Sequence, residues 1–267
     1  MQYTTKPPMP ALRPYIKQYW LMTLKASETR EPQRIVPIGC PDLTFHLGQP
    51  VFGGANGRDA HPRVFLCGQR NGYSDVWAYG DIEMLSVTFT PFGASQFFRF
   101  PMFEVQNSHL DLWGTHLLPV EELHEKLGSA RSFDHQADIL DTLFLSWLYK
   151  HTIPQLPRIA HVVRTIGMSP HMPGIDQLAR EACLSRKQFE RLFSASIGLA
   201  PHQFVRVVRF QRALFLQQTQ RFGHLTELAY AAGFYDQSHL ISEFKTFSGL
   251  TPSQYFGMCE PVSDFFG

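Results

Sequence analysis

The sequence predicts an α+β protein, in which a small antiparallel β-barrel or sheet with attached helices is followed by an all-α domain. Short β-branched and aromatic runs separated by turn sequences occupy the first part of the chain, and helical periodicity dominates after residue 157. The 267 residues exceed the usual length of one domain, and all 4 tryptophans lie before residue 150. The chain therefore divides into two units of different composition.

Several short runs carry the strand prediction, because each is rich in residues that favour extended backbone and is bounded by Gly, Pro or Asn turns. These runs are residues 34–38, 43–47, 64–66, 76–79 and 85–89. Two short helical segments follow, near 93–98 and 119–127, and the second has a proline at its start. The first unit is thus predicted to be a sheet that continues into helices.

A stronger helix is predicted over residues 134–148, where apolar side chains recur on one broad helical face. The members of this face are Ile139, Leu140, Leu143, Phe144 and Trp147. Such a face has to be buried, and two partners stay open for it. One is the sheet of the same chain, and the other is a second copy of the helix, which would make a homodimer.

Pro154 and Pro157 predict the domain boundary, because two prolines within four residues interrupt regular structure. We assign residues 1–153 to the first domain and 154–267 to the second. The formal net charge is −2 over residues 1–157 and +3 over residues 158–267. The excess of Lys and Arg in the second part favours a polyanionic partner.

The residue types and their spacing give little support to other classes of protein. The 4 cysteines lie far apart, so neither a zinc ribbon nor a disulfide framework is predicted. No apolar stretch reaches the length of a membrane span, and no secretory signal is present, so we expect a cytoplasmic protein without membrane contact. Neither a cofactor nor a metal ion is predicted. The histidines of the first unit lack ligand spacing, so we predict that the chain is not an enzyme, with a metal- or small-molecule-binding barrel enzyme as the alternative.

An internal repeat dominates the second unit. The run GLAPHQF at 198–204 recurs as GLTPSQY at 249–255, 51 residues later. Phe189 and Phe193 correspond to Leu240 and Phe244 at the same offset, whereas Leu178 corresponds to Leu228 at an offset of 50. The second copy therefore has one extra residue in its turn. The helices predicted around the repeat cover residues 158–168, 175–182, 185–197, 201–218, 225–232 and 236–247, with a short turn from 252.

Each copy has the features of a helix-turn-helix unit, and the long helix 201–218 joins them. Ser185 is the predicted N-cap of the second helix in the first copy, with Gln188 completing a capping box. Asp236 is the corresponding N-cap in the second copy, where Tyr235 and Leu240 are expected to form a hydrophobic staple.

The region from about 175 to 255 resembles the AraC/XylS family of bacterial regulators. The segment LAYAAGFYDQSHLISEFKTFSGLTPSQY at 228–255 carries most of this resemblance. It implies a sequence-specific transcription regulator that reads adjacent major grooves of double-stranded DNA with two recognition helices. It also implies contact with RNA polymerase, and it leaves open whether the protein acts as an activator or a repressor. The first unit is only loosely similar to the sensor domain of some members.

The resemblance and the helix geometry together nominate DNA-contacting residues, because the N-terminal residues of a recognition helix face the base edges. In the first helix-turn-helix unit they are Arg186, Lys187, Glu190 and Arg191, and in the second helix-turn-helix unit they are Gln237, Ser238, His239 and Ser242. The second set is only weakly basic, so the first helix-turn-helix unit is expected to contribute most to the choice of DNA sequence. Arg209 in the joining helix is expected to be structural.

A small-molecule effector of the first domain is a further hypothesis. The strand runs place aromatic and histidine side chains where a barrel mouth would bind a small, partly aromatic molecule: Phe45, His46, Trp77, Tyr79 and Phe89. The simpler interpretation is that the same side chains form the core of a barrel without a ligand. A third class also stays open, namely a protein-binding adaptor that uses the helix-turn-helix fold without DNA.

Overall fold

The computed structural model describes residues 1–25, 32–150, 153–169 and 172–258. Its first part is built on an antiparallel sheet of six strands in the order β1-β2-β9-β4-β7-β10, with the two-stranded ribbons β3–β8 and β5–β6 beside it. The strands are β1 Gln2–Lys6, β2 Ile16–Leu24, β3 Gln33–Ile35, β4 Asp42–His46, β5 Phe52–Gly53, β6 Asp59–Ala60, β7 Val64–Cys67, β8 Ser74–Val76, β9 Ile82–Phe89 and β10 His109–Asp111. The sheet ends at β1 and β10, so it is open rather than a closed barrel.

The other regular elements are helices. Short 3-10 helices lie at Pro10–Leu12 and Met102–Val105. The α-helices are α1 Ala94–Phe97, α2 Val120–Gly128, α3 Phe133–Leu148, α4 Leu156–Met168, α5 Ile175–Glu181, α6 Arg186–Ile197, α7 Pro201–Gln220, α8 Leu225–Ala232, α9 Gln237–Ser248 and α10 Pro252–Met258. Within the described part of the chain, none of these helices is long and apolar enough to cross a membrane.

The two faces of the six-stranded sheet have different partners, because successive side chains of a strand point to opposite faces. Leu43 and Phe45 of β4 lie opposite Val87 and Leu85 of β9 and belong to the core beneath α3. The alternate residues, such as Thr44 and Trp20, line a cavity on the other face. Phe45 and Phe89 are therefore core residues, which agrees with the core alternative given for them from the sequence. None of Phe45, His46, Trp77, Tyr79 and Phe89 lines the cavity, so the ligand-binding alternative is not supported for these side chains.

Helix α3 covers the sheet. Leu140 and Phe144 are fully buried in the core of the first part, and the other members of the apolar face pack against the same core. The buried Tyr19 hydroxyl of β2 donates a hydrogen bond to Asp141 Oδ1 of α3 at 2.8 Å, which fixes the helix on the strand. The sheet is thus the partner of this face, and the fully buried Leu140 and Phe144 offer no surface for a second copy.

The helical part has its own core, formed by the inner faces of α4 to α10. Helices α5 and α6 form the first helix-turn-helix unit, α8 and α9 form the second, and α7 runs between them. At 1.5 Å per residue, the 20 residues of α7 give a helix about 30 Å long. Phe92, Tyr15 and Val36 from the first part also pack against this core.

Candidate nucleic-acid interface

Helix α6 begins with the capping box that the sequence predicts. Ser185 Oγ accepts a hydrogen bond from the Gln188 amide at 3.4 Å, and Gln188 Oε1 accepts one from the Ser185 amide at 3.2 Å. Phe189 and Phe193 lie on the inner face and are fully buried. This burial fixes the rotation of the helix, so its polar face and its N-terminal end point to solvent.

The candidate residues of α6 form one charged surface. Arg186, Lys187 and Arg191 are exposed, and Glu190 is half-buried. Arg186 Nε donates to Glu190 Oε1 at 3.0 Å, and Arg186 Nη1 lies 3.4 Å from Asp176 Oδ1 of α5. Because exposed ion pairs of this kind contribute little, Arg186 can exchange them for a phosphate or a base edge. Lys187 and Arg191 have no ion pair with any residue that the structure describes.

Helix α9 is capped by Asp236, whose Oδ1 accepts from the His239 amide at 2.7 Å. Gln237, Ser238 and Ser242 are exposed, and Gln237 Oε1 accepts from the Thr226 hydroxyl of α8 at 2.9 Å. These side chains form a polar surface without a cationic group, as the sequence indicated.

His239 lies closer to the body of the domain than the other candidates of α9. It is half-buried, its ring is 5.3 Å from that of Phe234, and its Nε2 is 4.0 Å from Glu243 Oε1. His239 therefore has a packing role in the structure, in addition to the DNA contact that the sequence predicts for it.

An ion pair ties α9 to α7. Arg206 Nε lies 2.9 Å from Glu243 Oε2 and 3.1 Å from Oε1, and Arg206 Nη2 lies 2.9 Å from Oε1. The Glu243 side chain is 7% exposed and that of Arg206 is 39% exposed, so the carboxylate depends on this partner. Arg209 is half-buried with its guanidinium 5.5 Å from the Phe234 ring, and burial lowers its pKa, which agrees with the structural role expected for it.

The turn of the second unit differs from the prediction. Tyr235 is 83% exposed, so it forms no staple with the buried Leu240. Phe234 fills the turn instead, and its amide donates to the Ala229 carbonyl at 2.8 Å, just as the Leu184 amide donates to the Ala179 carbonyl at 3.0 Å in the first unit.

The exposed side chains of the second helix-turn-helix unit that the sequence did not predict as DNA contacts include Tyr230, Tyr235 and Lys245. The extra residue in the turn of the second copy was the signal available for Tyr235, because it moves that side chain out of the packed position. Tyr235 thus lies at the start of α9, next to the nominated residues.

Comparison with known proteins bears on both parts of the chain. A family profile described as a helix-turn-helix domain matches residues 178–258, which span both units. Residues 178–258 are thus a helix-turn-helix domain. Residues 4–111 match a profile described as a domain of unknown function, DUF6597.

Two relatives show how far along the chain the similarity to known regulators extends. An uncharacterised HTH-type transcriptional regulator of Haemophilus influenzae is 29% identical over 163 residues, which cover 55% of this chain and 54% of the relative. The HTH-type transcriptional regulator MtrA of Neisseria gonorrhoeae is 33% identical over 100 residues, which cover 37% and 33%. The chain thus spans about half the length of the first relative and about a third of the second.

Among solved structures, ToxT from Vibrio cholerae is similar over 97% of this chain and 99% of its own, with 12% identity and a TM-score of 0.49. A transcriptional regulator from Chromobacterium violaceum, described as a protein containing an AraC-type DNA-binding domain, is similar over 39% of this chain and 92% of its own, with 24% identity and a TM-score of 0.36.

Proposed function

We propose that this protein is a sequence-specific DNA-binding transcription regulator in which α6 and α9 enter adjacent major grooves. One observation carries the proposal: α7 separates two capped helices whose N-terminal ends are exposed, and the first of them presents Arg186, Lys187 and Arg191 to solvent. The length of α7, about 30 Å, is close to the period of about 34 Å between successive major grooves on one side of DNA.

The two helices have unequal parts in the proposal. Arg191 has a free guanidinium suited to a bidentate pair with guanine, and Glu190 can accept from the cytosine amino group. Gln237, Ser238 and Ser242 provide hydrogen bonds without charge, so α9 contributes mostly to position on the backbone. Contact with RNA polymerase, a cytoplasmic location and an effector in the first part belong to the same proposal.

Selection of bound sites from random duplex DNA by the full chain tests the proposal, and footprinting then locates the protein on the selected site. We expect two sequence blocks about one helical turn apart, with the stronger information content in one block. Arg191→Ala should relax that block, whereas Arg131→Ala, an exposed arginine of the first part, serves as the matched control.

Salt dependence separates DNA binding from the adaptor alternative. Neutralisation of Z phosphates gives a slope of about −0.9Z for log K against log salt concentration. An affinity that does not change with salt, or no affinity at low salt, would refute the proposal and favour the adaptor.

A further inference from the structure

A cavity of about 510 Å³ lies on the face of the sheet that α3 does not cover. Most of its wall is apolar and comes from alternate residues of the strands, among them Trp20, Met22, Leu24, Phe65, Ile82 and Met84. The ribbon β3–β8 closes the other side with Gln33, Ile35, Ser74 and Val76. This size and lining are typical of sites for small molecules.

A cationic side chain lies in the mostly apolar wall. Arg70 lines the cavity, and its guanidinium contacts Ser74 Oγ at 2.9 Å and the ring Nε2 of His109. Among the described residues, no carboxylate forms an ion pair with Arg70. Asp42 also lines the cavity, but its Oδ1 accepts from the Thr88 hydroxyl at 2.6 Å.

The histidines beside Arg70 are neutral near pH 7. Burial, together with the neighbouring rings and the charge of Arg70, lowers the pKa of His61 to about 4 and that of His109 to about 3. The positive charge on this side of the cavity is therefore that of Arg70. A guanidinium held among apolar groups is stabilised by an anion that completes its hydrogen bonds.

The segment that carries Arg70 also touches both helix-turn-helix units. We call residues 68–76 the Arg70 loop. Gly198 and Gly249 occupy equivalent positions of the repeat, and each ends its recognition helix in the left-handed conformation, with φ of 95° and 72°. A Cβ at Gly198 would lie 3.4 Å from Gln69 Cγ, and one at Gly249 would lie 2.8 Å from Tyr73 Cζ.

Further contacts hold the loop against α9. Arg34 Nη1 donates to the Ser248 carbonyl at 2.9 Å, while its Nε and Nη2 donate to the two Asp75 oxygens at 2.8 and 2.9 Å. The same guanidinium lies 4.4 Å from the centre of the Tyr73 ring. The Arg70 loop thus has the cavity on one side and the ends of both recognition helices on the other.

We propose that the cavity binds a small apolar molecule with one anionic group held by Arg70. Binding of this molecule changes the conformation of the Arg70 loop, and the loop in turn changes the ends of α6 and α9 that it contacts. This regulation rests on the proposed DNA-binding function, because DNA binding is what it would control. The binding site and its coupling to the recognition helices can be tested without DNA. A ligand that orders Arg70 changes the position of Gln69 and Tyr73, which lie in the same loop.

The test uses two fluorescent probes with the same aromatic rings, the anion 8-anilinonaphthalene-1-sulfonate and the neutral N-phenyl-1-naphthylamine. Each is titrated into the full chain, with energy transfer from the tryptophans, of which Trp20 lies in the cavity wall, as the readout. In Arg70→Gln, the ratio of anion affinity to neutral affinity should fall at least about tenfold, equivalent to about 1.4 kcal/mol. Arg70→Met gives the same test with a different side chain, should either variant fail to fold.

Two control variants define the role of the charge. Arg70→Lys should keep most of the preference for the anion, and Arg63→Met, which removes an exposed arginine that does not line the cavity, should leave the ratio unchanged. An unchanged ratio in both neutral Arg70 variants, or an equal fall in Arg63→Met, would overturn the assignment of the site.

Hydrogen exchange of the full chain tests the coupling without DNA. Saturation with the anionic probe should change exchange rates at least twofold in residues 68–76 and in the segments around Gly198 and Gly249, and Arg70→Gln should abolish these changes. Exchange that changes only within the strands of the cavity wall would overturn the coupling. Because neither measurement uses DNA, a failure here is distinct from a failure to select DNA sites.

Discussion

Replacement of Arg206 by Met should destabilise the second helix-turn-helix unit. The change removes all three contacts at 2.9 to 3.1 Å with Glu243, a side chain that is 7% exposed, and leaves its carboxylate without that partner. Loss of one partner from a buried pair typically costs about 3 to 5 kcal/mol. Arg206 is itself 39% exposed, so water screens part of the pair, and we expect a loss of about 2 to 3 kcal/mol in the free energy of unfolding.

A double-mutant cycle isolates this ion pair from other effects of the substitution, including loss of the Arg206 contact with the Phe247 ring at 5.5 Å. Urea unfolding is followed by circular dichroism for wild type, Arg206→Met, Glu243→Met and the double variant. The double variant should recover most of the loss, because two apolar side chains can close the site, which gives a coupling of at least about 1.5 kcal/mol. Additive losses, or a single-variant loss below about 0.5 kcal/mol, would refute the reasoning.

Three other changes have distinct expected results. Arg191→Ala should cost about 1 to 3 kcal/mol of DNA affinity at one base position in a binding assay, whereas Gln237→Ala should weaken all sequences evenly; equal effects on all sequences would contradict the unequal roles. Because burial lowers the pKa of His61 to about 4 and of His109 to about 3, the unfolded state binds more protons below about pH 6.5, so the melting temperature should fall from pH 6.5 towards pH 4. Replacement of both histidines by Asn should flatten this dependence, and an unaltered slope would argue against their burial. Gly249→Ala should lower the melting temperature, because φ at this position is 72° and the added Cβ would lie against the Tyr73 ring. Adding Tyr73→Ala should remove the steric contact but not the backbone strain, so it should restore only part of the loss. Complete recovery of the melting temperature would show that the backbone conformation costs nothing.

The sequence predicted the helical domain well because its signals are local. The N-caps Ser185 and Asp236 and the buried positions Phe189 and Phe193 follow from spacing within one or two helical turns, and the structure places them as expected. Two copies of the same pattern also support each other, which makes the repeat a stronger signal than either unit alone.

The sheet was predicted less completely because its order depends on distant pairs. Strand β2, Ile16–Leu24, lies inside the sheet but was not among the predicted runs. It pairs with β9 some 70 residues later along the chain, for example Ile16 with Phe89. The cavity was not predicted correctly for the same reason. Its polar wall joins His61, Arg70 and His109 from separate segments, and no spacing in the sequence marks them as neighbours.

The turns of the two units explain why the second recognition helix differs from the first. Cys183, with φ of 54°, takes the left-handed position that Gly233 takes with φ of 85°, and Leu184 and Phe234 then fill equivalent sites. In the first unit Ser185 follows directly as the cap, whereas in the second the exposed Tyr235 is inserted before Asp236. The inserted residue adds a phenol at the N-terminal end of α9, where α6 begins with cationic side chains. The two helices therefore present different chemistry to a groove, which is the physical basis for expecting unequal roles in sequence choice.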